Sequence, residues 1–389
     1  MNREVSVVHL TTVHHPMDTR IFHKECGSLA AAGFRVTLIA TEHPDLAAAK
    51  PAFEVLRLSP ARNRWARMTR NCWQAYKLAK RLNADIYHFH DPELIWVGWL
   101  LKNKRNQVVY DIHEDYETGI RQKKYLPRFA RRLLAGAYRL AERLCIGRFE
   151  LVLAEKYYYD KYGRGTAVLN YPLLGPAIES GERPSADEGE DQPREQDQIR
   201  LLYTGNITLD RGALVHARAV KLDPRIRLYM IGKCPRPLSE QMLGEAGGHK
   251  ERLHIEGIDA FISRETIDGY YRAGGWTAGL ALFPPTDHYM QKELTKFFEY
   301  MNAGLPIVCS DFPSWKAFVE KHRCGIAVNP YDDKAILEAL TYLHEHPDEA
   351  QQMGRNGQRA VRSELNWEHE QEKLISMYIE GKKGSSLQC

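Results

Sequence analysis

The sequence lacks most of what an extracellular, disulfide-built or membrane-spanning protein needs. Its seven cysteines (Cys26, Cys72, Cys145, Cys234, Cys309, Cys324 and Cys389) are odd in number, scattered, and without CxxC or zinc-ligand spacing. That argues against a disulfide framework or a zinc module and makes a reducing cytoplasm the expected setting. Long hydrophobic runs are also missing. The most apolar stretch, 94–101, has eight residues, far fewer than the roughly 20 that cross a bilayer. Met1-Asn2-Arg3-Glu4 leads straight into strand-like residues 5–10, so no secretory leader is expected. No short-period repeat and no nucleic-acid recognition module is visible. A soluble or peripheral protein is expected, without nucleic acid among its partners.

What is present suits two globular domains. The chain has 389 residues, 43% of them hydrophobic, enough for two cores of about 150–200 residues each. The net charge of +4 is unevenly spread. Residues 1–171 hold 28 Lys and Arg against 17 Asp and Glu, and the remainder holds 26 against 33. The first half is therefore expected to face something anionic. Between the halves, residues 179–193 contain no large apolar side chain and cannot bury a core, so 172–199 reads as an acidic linker or loop. On both sides short apolar runs alternate with amphipathic segments. In the first half the runs are 5–10, 35–40, 84–89, 108–112 and 151–153; in the second they are 200–203, 228–231, 254–255, 278–282 and 307–309. Two βα arrays of this kind predict an α/β chain with Rossmann-like domains at 1–171 and 200–362. Residues 363–389 form a closing helix and tail.

The most specific stretch is Lys296-Phe297-Phe298-Glu299-Tyr300-Met301-Asn302-Ala303-Gly304-Leu305-Pro306-Ile307-Val308. Lys296 and Glu299 share one face of a helical turn, which alone would read as an ordinary ion pair. Gly304 ends the helix, and Leu-Pro leads into a buried strand. This wording closely resembles the donor-site helix of family 4 retaining glycosyltransferases, which have the GT-B fold of two Rossmann-like domains around a cleft. The resemblance implies that Glu299 grips the nucleotide ribose. It also assigns the donor to Gly205, Asn206, Arg211, Gln291, Thr295, Lys296 and Glu299. The family usually has a glutamate where this chain has Gln291, with Glu293 nearby, and a basic residue where it has Asn206. Diphosphate neutralisation then rests on Arg211 and Lys296.

Leu201-Leu202-Tyr203-Thr204-Gly205, followed by Arg211-Gly212, is a strand, a glycine turn and a basic residue, suited to a pyrophosphate. In the first half, histidines crowd the strand ends: His14 and His15, then His88 and His90, then His113. His113 matches the family histidine beside the transferred sugar, so His113, Arg211 and Lys296 are the expected catalytic set. Asp18, Arg20, His90 and Glu93 are the acceptor-side candidates, although Asp18 and Arg20 also suit a capping ion pair. The loops are rich in ligand-type residues but lack HExxH or Cys/His spacing. No metal or other cofactor is expected, and activity should survive chelation, with Asp111 and Asp115 the local exceptions. Asn170-Tyr171-Pro172 reads as the turn that closes the first domain.

Two basic, aromatic segments, 62–81 with Trp65 and Trp73 and 121–134 with Phe129, suit either an anionic membrane surface or helices whose apolar faces enter the core. The expected reaction is transfer from a nucleotide sugar to a glycan or polyprenyl-linked acceptor in bacterial envelope or exopolysaccharide synthesis. The protein would be cytoplasmic, either free or peripheral at the inner face of the cell membrane. A nucleotide-sugar epimerase and a non-catalytic binding homologue remain the alternatives.

Overall fold

The structure is a computed structural model and describes residues 4–113, 116–121, 127–174, 197–286 and 289–386. Asp115, Lys123, Lys124 and most of 172–199 lie outside them. The chain divides into two units: residues up to Leu173 together with Trp367–Cys389, and Leu174–Asn366.

The first unit is built on seven parallel strands: β1 (Ser6–Leu10), β2 (Arg35–Thr41), β3 (Glu54–Leu58), β4 (Ile86–Phe89), β5 (Gln107–Ile112), β6 (Glu150–Leu153) and β7 (Thr166–Ala167). Their order is β3-β2-β1-β4-β5-β6-β7. The central strands are buried on both faces, which is why they read as continuous apolar runs. Alternate side chains feed two cores. Val8, Leu10, Tyr87, Phe89, Val108 and Tyr110 join one. Val7, Leu38, Ile86, Val109 and Val152 join the other, which the closing helix completes with Trp367, Leu374 and Tyr378.

That helix, Trp367–Ser386, packs on the first unit although it is last in sequence. Trp367 donates its backbone N–H to Pro172 and its indole N–H to Ser28 Oγ at 2.7 Å. Glu370 accepts from the Leu169 amide at 2.8 Å, and the Tyr378 hydroxyl meets His88 Nδ1. On the same face, Thr19–Cys26 winds in wide π turns before continuing as the α-helix Gly27–Ala31. Those wide turns bury Arg20 and Glu25, five residues apart, along with the apolar Ile21, Phe22 and Cys26.

The second unit repeats the scheme with six parallel strands: β8 (Ile199–Thr204), β9 (Ile226–Cys234), β10 (Leu253–Ile258), β11 (Ala278–Ala281), β12 (Ile307–Ser310) and β13 (Gly325–Val328). Their order is β10-β9-β8-β11-β12-β13. The helix Thr295–Asn302 stops at Gly304, whose φ of +69° suits glycine, and Leu305 N–H returns to Tyr300 O.

Since Leu374 is fully buried in the first unit, Leu374→Ala should destabilise that unit by about 2–5 kcal/mol. Urea denaturation followed by fluorescence checks this. An unchanged midpoint would mean that the closing helix adds nothing to this core.

Candidate functional site

In each sheet the chain begins in the middle, winds outward to one edge, then returns to the other side of its first strand. The reversal lies between β1 and β4 in the first unit and between β8 and β11 in the second. Loops leave these neighbouring strands in opposite directions, so a crevice opens at their carboxyl ends. The candidate residues gather at these two points.

In the second unit, β8 ends at Thr204 and turns at Gly205, whose φ is +92°. Lys296, in the first turn of Thr295–Asn302, reaches beneath this end. Its ammonium donates to Thr204 O and lies 4.1 Å from the centre of the Tyr203 ring. A Cβ on residue 205 would stand 3.3 Å from Nζ, so glycine leaves the approach to the lysine open. Burial pushes the Lys296 pKa down to about 7; Glu299 raises it and the like charge of Arg211 lowers it.

Arg211 closes the turn Leu209–Arg211 and donates from Nε to the Tyr289 hydroxyl at 3.0 Å, which in turn donates to Asp210. Gly212 follows at φ +77°, where a Cβ would lie 2.0 Å from Leu282 O. No other residue fits there without moving β11. His216 fastens the same turn: Nε2 accepts from the Leu282 N–H at 3.1 Å, so Nδ1 carries the proton to Gly212 O at 2.7 Å. Burial holds His216 neutral, with a pKa near 4.

Glu299 does not pair with Lys296. It takes Arg264 Nη1 at 2.5 Å and the Tyr271 hydroxyl at 3.2 Å, and Tyr271 also meets Thr204 Oγ1 at 2.7 Å. The ion pair suggested by i,i+3 spacing is replaced because the lysine end is drawn down to a backbone oxygen. Gly205, Arg211, Lys296 and Glu299 are thus brought together. Asn206, Gln291 and Thr295 are exposed along the same edge. Arg264, Tyr271, Tyr289 and His216 escaped the sequence reading because each comes from outside the recognisable motifs. Only His216, four residues after Gly212 at a helix start, carried a local signal.

In the first unit, His113 follows β5 and is partly exposed, and its Nε2 lies 2.6 Å from Asp111 Oδ2. Asp111 is fully buried and is gripped through both oxygens by Arg20, Nε and Nη2 each at 2.9 Å. His90 Nδ1 stands 3.2 Å from the same Asp111 oxygen. Despite burial, Arg20 and these imidazoles hold Asp111 well below the usual carboxylate range.

The acceptor-side candidates are placed differently from expectation. Arg20 and His90 are buried against Asp111; a guanidinium there neutralises a carboxylate that water cannot reach. Arg20 does not pair with Asp18, which instead caps Thr19–Cys26 by accepting from the Arg20 and Ile21 amides. Glu93 is half-buried, accepting from Arg67 at 2.9 Å and from Thr12 Oγ1 at 2.7 Å. Beside it opens a cavity of about 430 Å³ whose lining includes His14, His15, His43, Arg64 and Arg67. This cavity, which Glu42 also lines, is open at that edge, and sequence reasoning did not assemble it.

Two family models match the chain: Glycosyltransferase Family 4 over residues 19–156 and Glycosyl transferase-like over residues 277–376. No curated protein matches by sequence. Among solved structures, sucrose-phosphate synthase from Thermosynechococcus elongatus superposes with a TM-score of 0.72 at 17% identity, covering 97% of this chain and 99% of that one. HepE from Anabaena in complex with UDP-glucose superposes at 0.67 with 11% identity, covering 97% and 100%. WaaG, a glycosyltransferase involved in lipopolysaccharide biosynthesis, gives 0.61 at 17%, covering 94% and 98%. At these identities the likeness establishes the fold.

The depressed Lys296 pKa has a thermodynamic signature. Between about 7 and the ordinary 10.5, the unfolded chain carries a proton that the folded chain lacks. The lysine's contribution to stability therefore rises with pH through that window and is least favourable below it. Denaturation at about pH 7 and about pH 9 should show this gain in the parent and lose it in Lys296→Met. Equal pH dependence in the two proteins would place the lysine in water.

Proposed function

The chain belongs to the glycosyltransferases of the GT-B fold, and on that premise we propose that it moves a sugar, with retention of anomeric configuration, from a nucleotide-diphospho-sugar to an acceptor hydroxyl. The observation that carries this reading is the pairing of two cations, Lys296 and Arg211, beside the glycine turn that ends β8. As the bond from the sugar's anomeric carbon to the β-phosphate oxygen breaks, charge builds on the leaving diphosphate. Preorganised cations at a water-poor site stabilise that charge without a metal. Glu299, already held by Arg264 and Tyr271, has the acceptor oxygens that two vicinal ribose hydroxyls require. That HepE was solved with UDP-glucose favours a nucleotide sugar as donor. His113 faces the sugar in this reading, and Asp111 with Arg20 behind it fixes its orientation.

Glu299→Ala and Arg211→Ala should each weaken UDP or GDP binding by about 1.5–3 kcal/mol, measured by calorimetry. Unchanged affinity in both would remove these residues from the donor site. His113→Ala should lower turnover far more than nucleotide affinity; normal turnover with a lower melting temperature would make it a packing residue.

The acceptor is proposed to be a lipid-linked or growing polysaccharide reached at the cytoplasmic face of the membrane. The support is the surface of the first unit. The helix Arg128–Ile146 buries Ala135 and Ile146 but leaves other apolar side chains exposed: Phe129 is 75% exposed and Leu144 72%, with Leu133 and Leu140 also exposed. Trp65 is 77% exposed, and Trp73 and Trp96 stack with centroids 6.3 Å apart. Basic side chains stand among them, a composition suited to anionic lipid headgroups. Arg67 is committed to Glu93, whereas Arg64, Arg128 and Arg132 are exposed. Flotation with anionic vesicles should show binding that fades with salt and with Arg64, Arg128 and Arg132 changed to Glu. Equal recovery on neutral and anionic vesicles at low salt would favour a soluble acceptor.

A further inference from the structure

Behind the Asp111–His113 pair lies a deeper set of side chains that glycosyl transfer does not use. His9 of β1 and His88 of β4 are direct neighbours in the parallel register, with ring centroids 4.6 Å apart. Both point to the face on which Thr19–Cys26 packs, and there they meet Glu25. All three residues are completely buried. His9 Nε2, His88 Nε2 and both Glu25 oxygens have no hydrogen-bond partner among the described residues. Arg20 Nε is 3.0 Å from Glu25 Oε1, but off the line of a hydrogen bond. Four orphaned polar atoms in one dry spot would cost several kcal/mol in total if left so.

Charge is unbalanced in the same place. Arg20 is one cation facing two carboxylates, Glu25 and Asp111. A proton on Glu25, shared with the neighbouring Asp111, would cancel the excess charge but would leave His88 Nε2 unsatisfied. A bound cation answers both needs.

We propose that His9, Glu25 and His88 form a buried site for one zinc-class divalent metal ion. One donor atom from each residue lies within 4.8 Å of the others, and His88 Nε2 is 4.0 Å from Glu25 Oε2. Tetrahedral zinc with bonds of about 2.0–2.1 Å separates its ligands by roughly 3.4 Å, so the set closes if His88 and Glu25 draw in by about half an ångström and the widest pair by up to about 1.4 Å. The outer partners are in place too. His88 Nδ1 is held by the Tyr378 hydroxyl at 2.5 Å, leaving its Nε2 for the metal, while His9 faces Glu25 Oε2 through Nδ1 at 3.7 Å, the nitrogen that also lies 3.0 Å from His90 Nε2. Two imidazoles and a carboxylate select a zinc-class ion over magnesium or calcium. The ion is structural: it pins β1, β4 and Thr19–Cys26 behind His113 and takes no part in binding the diphosphate.

The full chain, produced with a tag free of histidine and never exposed to a nickel resin, is analysed by plasma mass spectrometry. Close to one zinc per chain is expected. Exchanging His15 and His43, which form a separate surface cluster with Asp45, for alanine should leave that content intact. Glu25→Gln and His88→Ala should abolish it. Because these variants may fold poorly, the unaltered protein is also produced in cobalt-supplemented medium, where a tetrahedral site gives intense visible absorption. Under about a tenth of an equivalent of metal, no cobalt band, or metal that disappears with His15 and His43 and survives Glu25→Gln would each overturn the site and leave a protonated Glu25 as the resolution.

Discussion

The guanidinium of Arg20 holds the functional edge of the first unit together. It is buried where water cannot screen it, bound through two nitrogens to Asp111 and close to Glu25. Pairing of this kind is costly to break, because removing one partner strands a buried charge. Asp111, so held, orients His113 at 2.6 Å and His90 at 3.2 Å. The wide π turns of Thr19–Cys26 are the backbone device that makes this possible. They turn Arg20 and Glu25, five residues apart, toward the same strands, whereas an α-helix would splay them.

The second unit solves a similar problem with one lysine. Lys296 is buried beside the end of β8 against a carbonyl and an aromatic face, with Glu299 near enough to favour its charge but not hydrogen-bonded to it. Such an ammonium is poorly compensated in the free protein. A diphosphate supplies further countercharge, so burial of the lysine favours binding in the reading proposed above.

How much of this could be read from the sequence differs between strands and side chains. The central strands were legible because burial on both faces leaves uninterrupted apolar runs. β3, the edge strand Glu54–Leu58, was not, since a half-buried strand carries polar residues and looks like a loop, and neither was β13, four residues that open on a glycine. The stretch from Lys296 to Val308 was legible as a helix, a glycine stop and a strand. Its charge partners were not: Arg264 and Thr204 are 35 and 92 residues from the groups they meet. Likewise the sequence presented Arg20 and His90 as polar residues in loops, and only three-dimensional packing reveals them as interior. Periodicity reports which way a side chain points within its own element and is silent about what comes to meet it.

The closing helix gives the chain a temporal order. The core of the first unit needs Trp367, Leu374 and Tyr378, which are synthesised only after the second unit. The second unit is complete by Asn366. On the ribosome, therefore, the first half of the chain must wait with one face of its sheet covered only in part, by residues 19–31, while the second half emerges and folds. The buried histidines of β1 and β4 stay open to the solvent during that interval, until Tyr378 arrives against His88 and seals them in.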